Sequence, residues 1–274
     1  MVIRLFLHST LILALTLITQ IGGLAYLLAL FARRFLDEAR FFDRVAAVVL
    51  FLGIYAALSL LSAAVAPLFG RTTLPCFASA DVNLAMQSPL YCALNRHYVT
   101  AELKDAAFDL SSHVDRKFPG TVTLALDGNF PFVDGFPLLP HLSHRDGRKL
   151  DLAFYYRAED GGYVRGGTKS PIGYWAFEEP RENSNLPCVD RKDTATLRWD
   201  MAWFKPFLND YRLEPERTRA ALDWLITSGR KSGVTKVFIE PHLAGELNVR
   251  SEIIRFQGCR AARHDDHIHI EVER

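Results

Sequence analysis

The sequence predicts an α+β domain, a small and mostly antiparallel sheet with flanking helices, preceded by a two-helix transmembrane hairpin. Three observations predict it. Two long apolar segments stand before residue 70. Beyond residue 100, helix-like and strand-like periodicities alternate irregularly, which is the pattern of an α+β domain. The chain then closes on "DHIHIEV", an apolar-polar alternation that reads as a strand with two histidines on one face.

The first apolar segment runs from about 5 to 31, "LFLHSTLILALTLITQIGGLAYLLALF", and the second from 45 to 69, "VAAVVLFLGIYAALSLLSAAVAPLF". Each exceeds the roughly 20 apolar residues that cross a bilayer's hydrocarbon core. The first continues well past the roughly 7–15 residues of a signal-peptide core, so a retained span is expected over a cleaved leader. Between them "ARRFLDEARFFDR" carries Arg33, Arg34, Arg40 and Arg44, while the other flanks show only Arg4 and Arg71. Arginine-rich short loops stay in the cytoplasm. Both termini and the whole chain after residue 70 are therefore expected outside; in a bacterium, on the periplasmic side of the inner (cytoplasmic) membrane. The hairpin also offers a surface to other membrane proteins, and Gln20 with Gly22 and Gly23 marks a helix-packing position within it.

The four cysteines agree with an oxidising compartment. None stands in a Cys-x-x-Cys pair, so a zinc ribbon or thioredoxin motif is excluded. Of the three pairings, Cys76–Cys92 with Cys188–Cys259 is preferred. The chain then divides into the hairpin (1–70), a disulfide-bearing linker (71–99) and a folded domain (100–274). Beyond residue 70 there are 27 Lys and Arg against 28 Asp and Glu. That balance gives no electrostatic case for nucleic acid.

Within the domain, "TAELKDAAFDLSSHVDRKF" reads as a helix with Thr100 as N-cap and Leu103, Ala106, Ala107, Leu110 and Val114 on one face. "TVTLAL" (121–126) and "KLDLAFYY" (149–156) read as strands. In the second, Leu150 and Leu152 face one way and Asp151, Ala153 and Tyr155 the other. The stretch from 157 to 196 reads as loop. "LRWDMAWFKPFLND" and "EPERTRAALDWLITSGRKSG" have helical spacing, the latter opening on Pro215. "VTKVFIE" is a strand, "AGELNVRSEIIRF" a helix, and "DHIHIEV" the last strand. Trp199, Trp203 and Trp224 read as helix core.

Chemistry concentrates at two places. "HLSHRDGRKLD" holds His141, His144 and Asp151; "HDDHIHIEV" holds His264, Asp265, Asp266, His267 and His269. If the two strands lie side by side, His144, Asp151 and His269 converge. Two imidazoles and one carboxylate suit a catalytic zinc, which takes three protein ligands and keeps a position open. His264, Asp265, Asp266 and His267 are then near enough in sequence to handle protons.

These residues resemble the penicillin-insensitive murein endopeptidases, a family in the zinc peptidase group that includes D-Ala-D-Ala dipeptidases and carboxypeptidases. Ser143, His144, Gly147 and Asp151 match the family's Ser-His-x-x-Gly-x-x-x-Asp, and His264 to His269 match its His-Asp-Asp-His-aromatic-His except at Ile268. "VFIEP" (237–241) resembles the strand before the second motif. The resemblance covers residues 100–272 and implies a hedgehog/D-Ala-D-Ala peptidase-like fold. It implies Zn2+ held by His144, Asp151 and His269, His267 and His264 as the catalytic pair, and His141 as a substrate or supporting group; Asp266, beside His267, is read from its place in the motif as a further group of that kind. Peptidoglycan peptides are the implied partners. Arg145 replaces a small or amide residue of the family, "RKLDL" a more apolar run, and Ala153 a second carboxylate.

Rival signals are weak. "SGRK" (228–231) has the Ser-x-x-Lys spacing of serine enzymes but ends a helix instead of opening one. His97, His113 and His242 stand alone. Two other classes of function remain beside the peptidase: a cell-wall peptide-binding domain without catalysis, and a structural partner in a membrane assembly.

Overall fold

The computed structural model describes residues 2–35, 42–79, 81–182, 184–189 and 197–273. Arg40 and much of the arginine-rich loop lie outside the described residues, as does the end of the 157–196 stretch. Three helices open the chain: α1 (Val2–Thr19), α2 (Gly22–Ala32) and α3 (Phe42–Val65). By length and composition, Val2–Thr19 and Arg44–Phe69 suffice to cross a membrane.

The expected span from 5 to 31 is broken. Gln20 takes a positive φ of 66°, and α2 doubles back along α1. The cause is local. Thr16 and Thr19 turn their hydroxyls onto the carbonyls of Ile12 and Leu15, and the Gly22 amide donates to Thr19 Oγ1. A β-carbon on Gly23 would lie 2.7 Å from the Ile12 carbonyl oxygen, so only glycine lets the two helices approach this closely. His8 Nδ1 meets the Tyr26 hydroxyl at 2.7 Å across the pair. Gly22 and Gly23 are thus a packing site, as expected, but against the chain's own first helix.

The rest is an α+β unit. Its elements are β1 (Thr72–Thr73), β2 (Leu84–Met86), α4 (Pro89–Ala93), β3 (Tyr98–Val99), α5 (Ala101–Lys117), β4 (Thr123–Ala125), β5 (Lys149–Ala153), β6 (Tyr156–Arg157), β7 (Arg212–Leu213), α6 (Pro215–Ile226), α7 (Ser228–Lys231), β8 (Val234–Phe238), α8 (Pro241–Glu246), β9 (Ile254–Arg255) and β10 (His267–Val272). The main sheet runs β2-β4-β5-β10-β8-β9. Its three central pairings are antiparallel and its two outer ones parallel. The small, mostly antiparallel sheet is therefore present, and β2 brings the disulfide-bearing stretch onto its edge.

Helix α5 starts where the sequence places it, with Thr100 Oγ1 accepting from the Leu103 amide. Leu103, Ala106, Ala107, Leu110 and Val114 are all buried. They pack with Leu222 and Leu225 of α6 and with Leu150, Leu152, Ile268 and Ile270 of the central strands. Both expected disulfides, Cys76–Cys92 and Cys188–Cys259, are formed.

Two expected helices are not. "LRWDMAWFKPFLND" gives only a short 3-10 turn, Ala202–Phe207, because Met201 enters it with φ 49° and Pro206 lies inside it. A proline there removes a backbone donor and blocks propagation. Trp199 and Trp203 are consequently exposed (62% and 65%), and only Trp224 is core. "AGELNVRSEIIRF" supplies the end of α8 and then β9, because Asn248 takes φ 50° and stops the helix. Ile254 and Arg255 instead pair with Val237 and Phe238.

Candidate metal centre

The two central strands bring the histidine motifs together. In β5 and β10, His269 lies opposite Asp151, Ile270 opposite Leu150 and Ile268 opposite Leu152. Alternation along a strand then separates the roles. Leu150, Leu152, Ile268 and Ile270 enter the core, while Asp151, His267 and His269 share the other face. All three of these polar groups are buried.

His144 arrives from the loop before β5. Its Nδ1 lies 2.9 Å from the Gly128 carbonyl oxygen, which can only accept, so Nδ1 carries the proton and Nε2 presents its lone pair. That nitrogen is 3.2 Å from His269 Nδ1 and 3.3 Å from Asp151 Oδ1. His269 Nδ1 is 2.8 Å from the same oxygen. Three donor atoms thus form a small triangle that can hold a metal ion. Gly147 fixes the loop: its φ is 72°, and a β-carbon there would meet Arg71 Nε at 2.5 Å. Its carbonyl accepts from the Thr100 amide at the head of α5.

Groups around the triangle orient it. Tyr174 donates its hydroxyl to Asp151 Oδ2 at 2.7 Å. His269 Nε2 faces Glu271 Oε1 at 3.5 Å. His141 Nδ1 bonds Asp127 Oδ2 at 2.7 Å, and Arg96 grips the same carboxylate through two bonds of 2.6 and 2.7 Å. His267 Nδ1 bonds Asp266 Oδ1 at 2.5 Å, and the other oxygen of Asp266 accepts from the Trp175 amide. The His264 ring lies 4.9 Å from that of His267 and 5.6 Å from that of His269. Glu240, held by Arg198, accepts from the His264 amide and sets its place.

The electrostatics separate the two neighbouring imidazoles. Burial, then the charges of His267 and His269, push His264 well below the ordinary histidine range, so it is neutral. Burial also opposes charge on His267, but Asp266 and then Asp151 outweigh it and raise the pKa to about 9. A neutral base beside a protonated acid is the arrangement that proton transfer needs. Asp151 stays ionised: burial acts against it, and His144 and His267 hold it well below the usual carboxylate range.

Seven of the eight sequence-selected residues, His141, His144, Asp151, His264, Asp266, His267 and His269, gather here. Asp265 instead pairs with Arg263. His97, His113 and His242 lie elsewhere, His242 against the Glu178 carbonyl. A second grouping, Cys76, Cys92 and His97, offers no thiolate because its sulfurs are bonded to each other. Arg96, Asp127, Glu240 and Glu271 escaped the sequence reading, and none of them carried a local signal.

A cavity of about 200 Å³ opens beside the triangle, lined by Leu90, Tyr91, Arg96, His141, Tyr174 and Trp175 among others. A smaller one of about 50 Å³, including Trp199, Asp266 and His267, shares His141, Tyr174 and Trp175 with it. Together they make a cleft that passes over His141.

No family model matches this sequence, and no curated protein is significantly similar to it.

Proposed function

We propose that this chain is a membrane-anchored zinc peptidase that cleaves peptide stems or cross-links of peptidoglycan on the outer side of the cell membrane. One observation carries the reading: His144, Asp151 and His269 meet within 3.3 Å of one another, buried directly behind Tyr174, His141 and His267, which line the cleft. Zinc bonds to nitrogen or oxygen of about 2.0–2.1 Å in a tetrahedron require ligand atoms about 3.3 Å apart. The triangle's edges, 2.8 to 3.3 Å, fit that requirement. The donor set also fits: His144 Nε2 presents a lone pair, and His269 Nδ1, which donates to the ionised Asp151 Oδ1, gives up that proton when a metal takes its place.

A bound zinc ion would polarise a substrate carbonyl and lower the pKa of water toward about 7. The chain's own groups supply the rest. His264, neutral, accepts a proton. His267, steered through Nδ1 by Asp266 and with Nε2 3.6 Å from Asp151 Oδ1, is placed to exchange a proton with a leaving amine beside the metal position. Tyr174 and Glu271 hold Asp151 and His269 in their coordinating orientations. His141, fixed by Asp127, lines the cleft where the peptide lies.

Two disulfides support an oxidising compartment. The reversal at Gln20 supports a different topology from the one with both ends outside. Phe132 donates its amide to Gln20 Oε1, so α1 ends on the domain side and begins at the far side. Arg4, Arg33, Arg34 and Arg44 then share that far side, which the positive-inside rule makes cytoplasmic. In a bacterium the domain is periplasmic and the N-terminal end of α1 cytoplasmic. The helices leave an apolar surface for other membrane proteins.

The test is metal analysis of the purified full chain together with turnover of isolated muropeptides. The reading expects about one zinc per chain and hydrolysis lost in His269→Ala. Zinc without turnover would leave a binding domain; neither would leave a structural partner.

A further inference from the structure

Helix α3 and the domain do not meet end to end. The Tyr55 hydroxyl donates to the Ala93 carbonyl at 2.6 Å, and Asn95 Nδ2 donates to Tyr55 at 2.9 Å and to Ser59 at 3.3 Å. These contacts fall halfway along the apolar span. Tyr55 is eleven residues past Arg44. At 1.5 Å per residue that is about 16 Å, roughly half of the ~30 Å hydrocarbon core. No charged residue occurs between Arg44 and Arg71, so the apolar run continues past the contact to Phe69. The outward face beyond Tyr55, including Leu60, Leu61 and Leu68, is exposed and apolar, while Ser62 is buried.

The part of the domain bonded there is α4. Its exposed residues, Pro89, Leu90 and Ala93, are all apolar. Phe77, beside the disulfide that ties Cys76 to α4, is also exposed. Leu90 does two things at once: it is 54% exposed on this apolar edge, and it lines the cavity of about 200 Å³ with Tyr91 and Leu94. One wall of the cleft is therefore a helix whose outer side is continuous with a membrane span.

We propose that the domain is seated in the outer leaflet along α4, and that the peptide taken by its cleft is carried on a membrane lipid. The seat stands on this geometry alone; the substrate class rests on the peptide reading above. A glycopeptide on a polyprenyl diphosphate would keep its apolar tail in the leaflet that α4 faces while its peptide reaches the cleft past Leu90.

The full chain in phosphatidylethanolamine–phosphatidylglycerol vesicles tests both. An environment-sensitive dye on Leu90→Cys is expected to be quenched by acyl-chain nitroxides several-fold more than one on Glu159→Cys, in an exposed turn beyond β6. Equal quenching overturns the seat. For the substrate, binding of a disaccharide pentapeptide on polyprenyl diphosphate is compared with the same muropeptide released from lipid. At least tenfold tighter binding of the lipid-borne form is expected, and Phe77→Glu should abolish that preference while sparing the released form. Equal binding, or a preference that survives Phe77→Glu, overturns the substrate class. Preferential binding without cleavage of either would instead sink the peptidase reading and leave this one standing.

Discussion

Asp151 and His269 face each other in register across two antiparallel strands, with carboxylate Oδ1 2.8 Å from imidazole Nδ1. The pairing is backbone-determined, so the two donors are placed before any metal arrives. Single alanine substitutions at His144, Asp151 or His269 are expected to lower zinc affinity by at least about 100-fold, since each leaves the ion short of a ligand. Glu271→Gln removes only an orienting group and should cost about tenfold. Competition with a chromogenic chelator measures both; equal losses would contradict the assignment.

Asp266 touches no atom of the triangle but bonds His267 and the Trp175 amide. Asp266→Asn is expected to retain the zinc and to lower kcat by about 10²–10⁴, the usual worth of a positioned acid or base. Metal content and kcat measured on one preparation separate this role from a structural one. Loss of both together would assign Asp266 to the scaffold.

Arg96, half-buried in the cavity wall, and the buried Asp127 form a doubly bonded pair. Asp127 also holds His141. Arg96→Ala leaves a buried carboxylate whose strongest partner is gone, and is expected to destabilise the domain by about 3–5 kcal/mol. Chemical denaturation in detergent reads the change. A shift under about 1 kcal/mol would mean that solvent already screens the pair.

His97 is buried against Tyr98, and its Nδ1 has no hydrogen-bond partner among the described residues. Burial lowers its pKa to about 4. The folded state therefore binds fewer protons than the unfolded state between about pH 6.5 and 4. Its contribution is intact above pH 6.5 and falls as pH drops, by about 3 kcal/mol at pH 4, levelling off as pH passes below the folded-state value. The difference in stability between the native chain and His97→Gln, followed from pH 7 to 4, should show this slope. A flat difference would refute it.

Gly147 combines a φ of 72° with the Arg71 guanidinium packed onto it. Gly147→Ala is expected to destabilise by more than about 1 kcal/mol through strain and the clash. It should also loosen zinc, because the same loop carries His144. Unchanged melting temperature and affinity would show that the loop yields freely.

Much of the metal centre was legible because its signal is local. Strand alternation alone put His267 and His269 on one face and Ile268 and Ile270 on the other. The spacing of Leu103, Ala106, Ala107, Leu110 and Val114 likewise displayed the buried face of α5. The failures have a common origin too. The apolar run through Gln20 looked continuous because hydropathy cannot register a turn made by threonine hydroxyls and two glycines. "LRWDMAWFKPFLND" kept helical spacing although Pro206 blocks the helix.

The sequence by itself determined which residues are the candidates for the site, which segments are apolar enough for lipid, and which strands have a core face. Those properties follow from side-chain type and from the two- and 3.6-residue periods of the backbone. Only the tertiary structure decided that β5 lies beside β10, that Arg96, Asp127 and Tyr174 brace the centre, and that α4 rests halfway along α3. Each of those relations joins residues far apart in the chain. Sheet pairing and buried charge pairing set them, and neither leaves a periodic trace in the order of the amino acids.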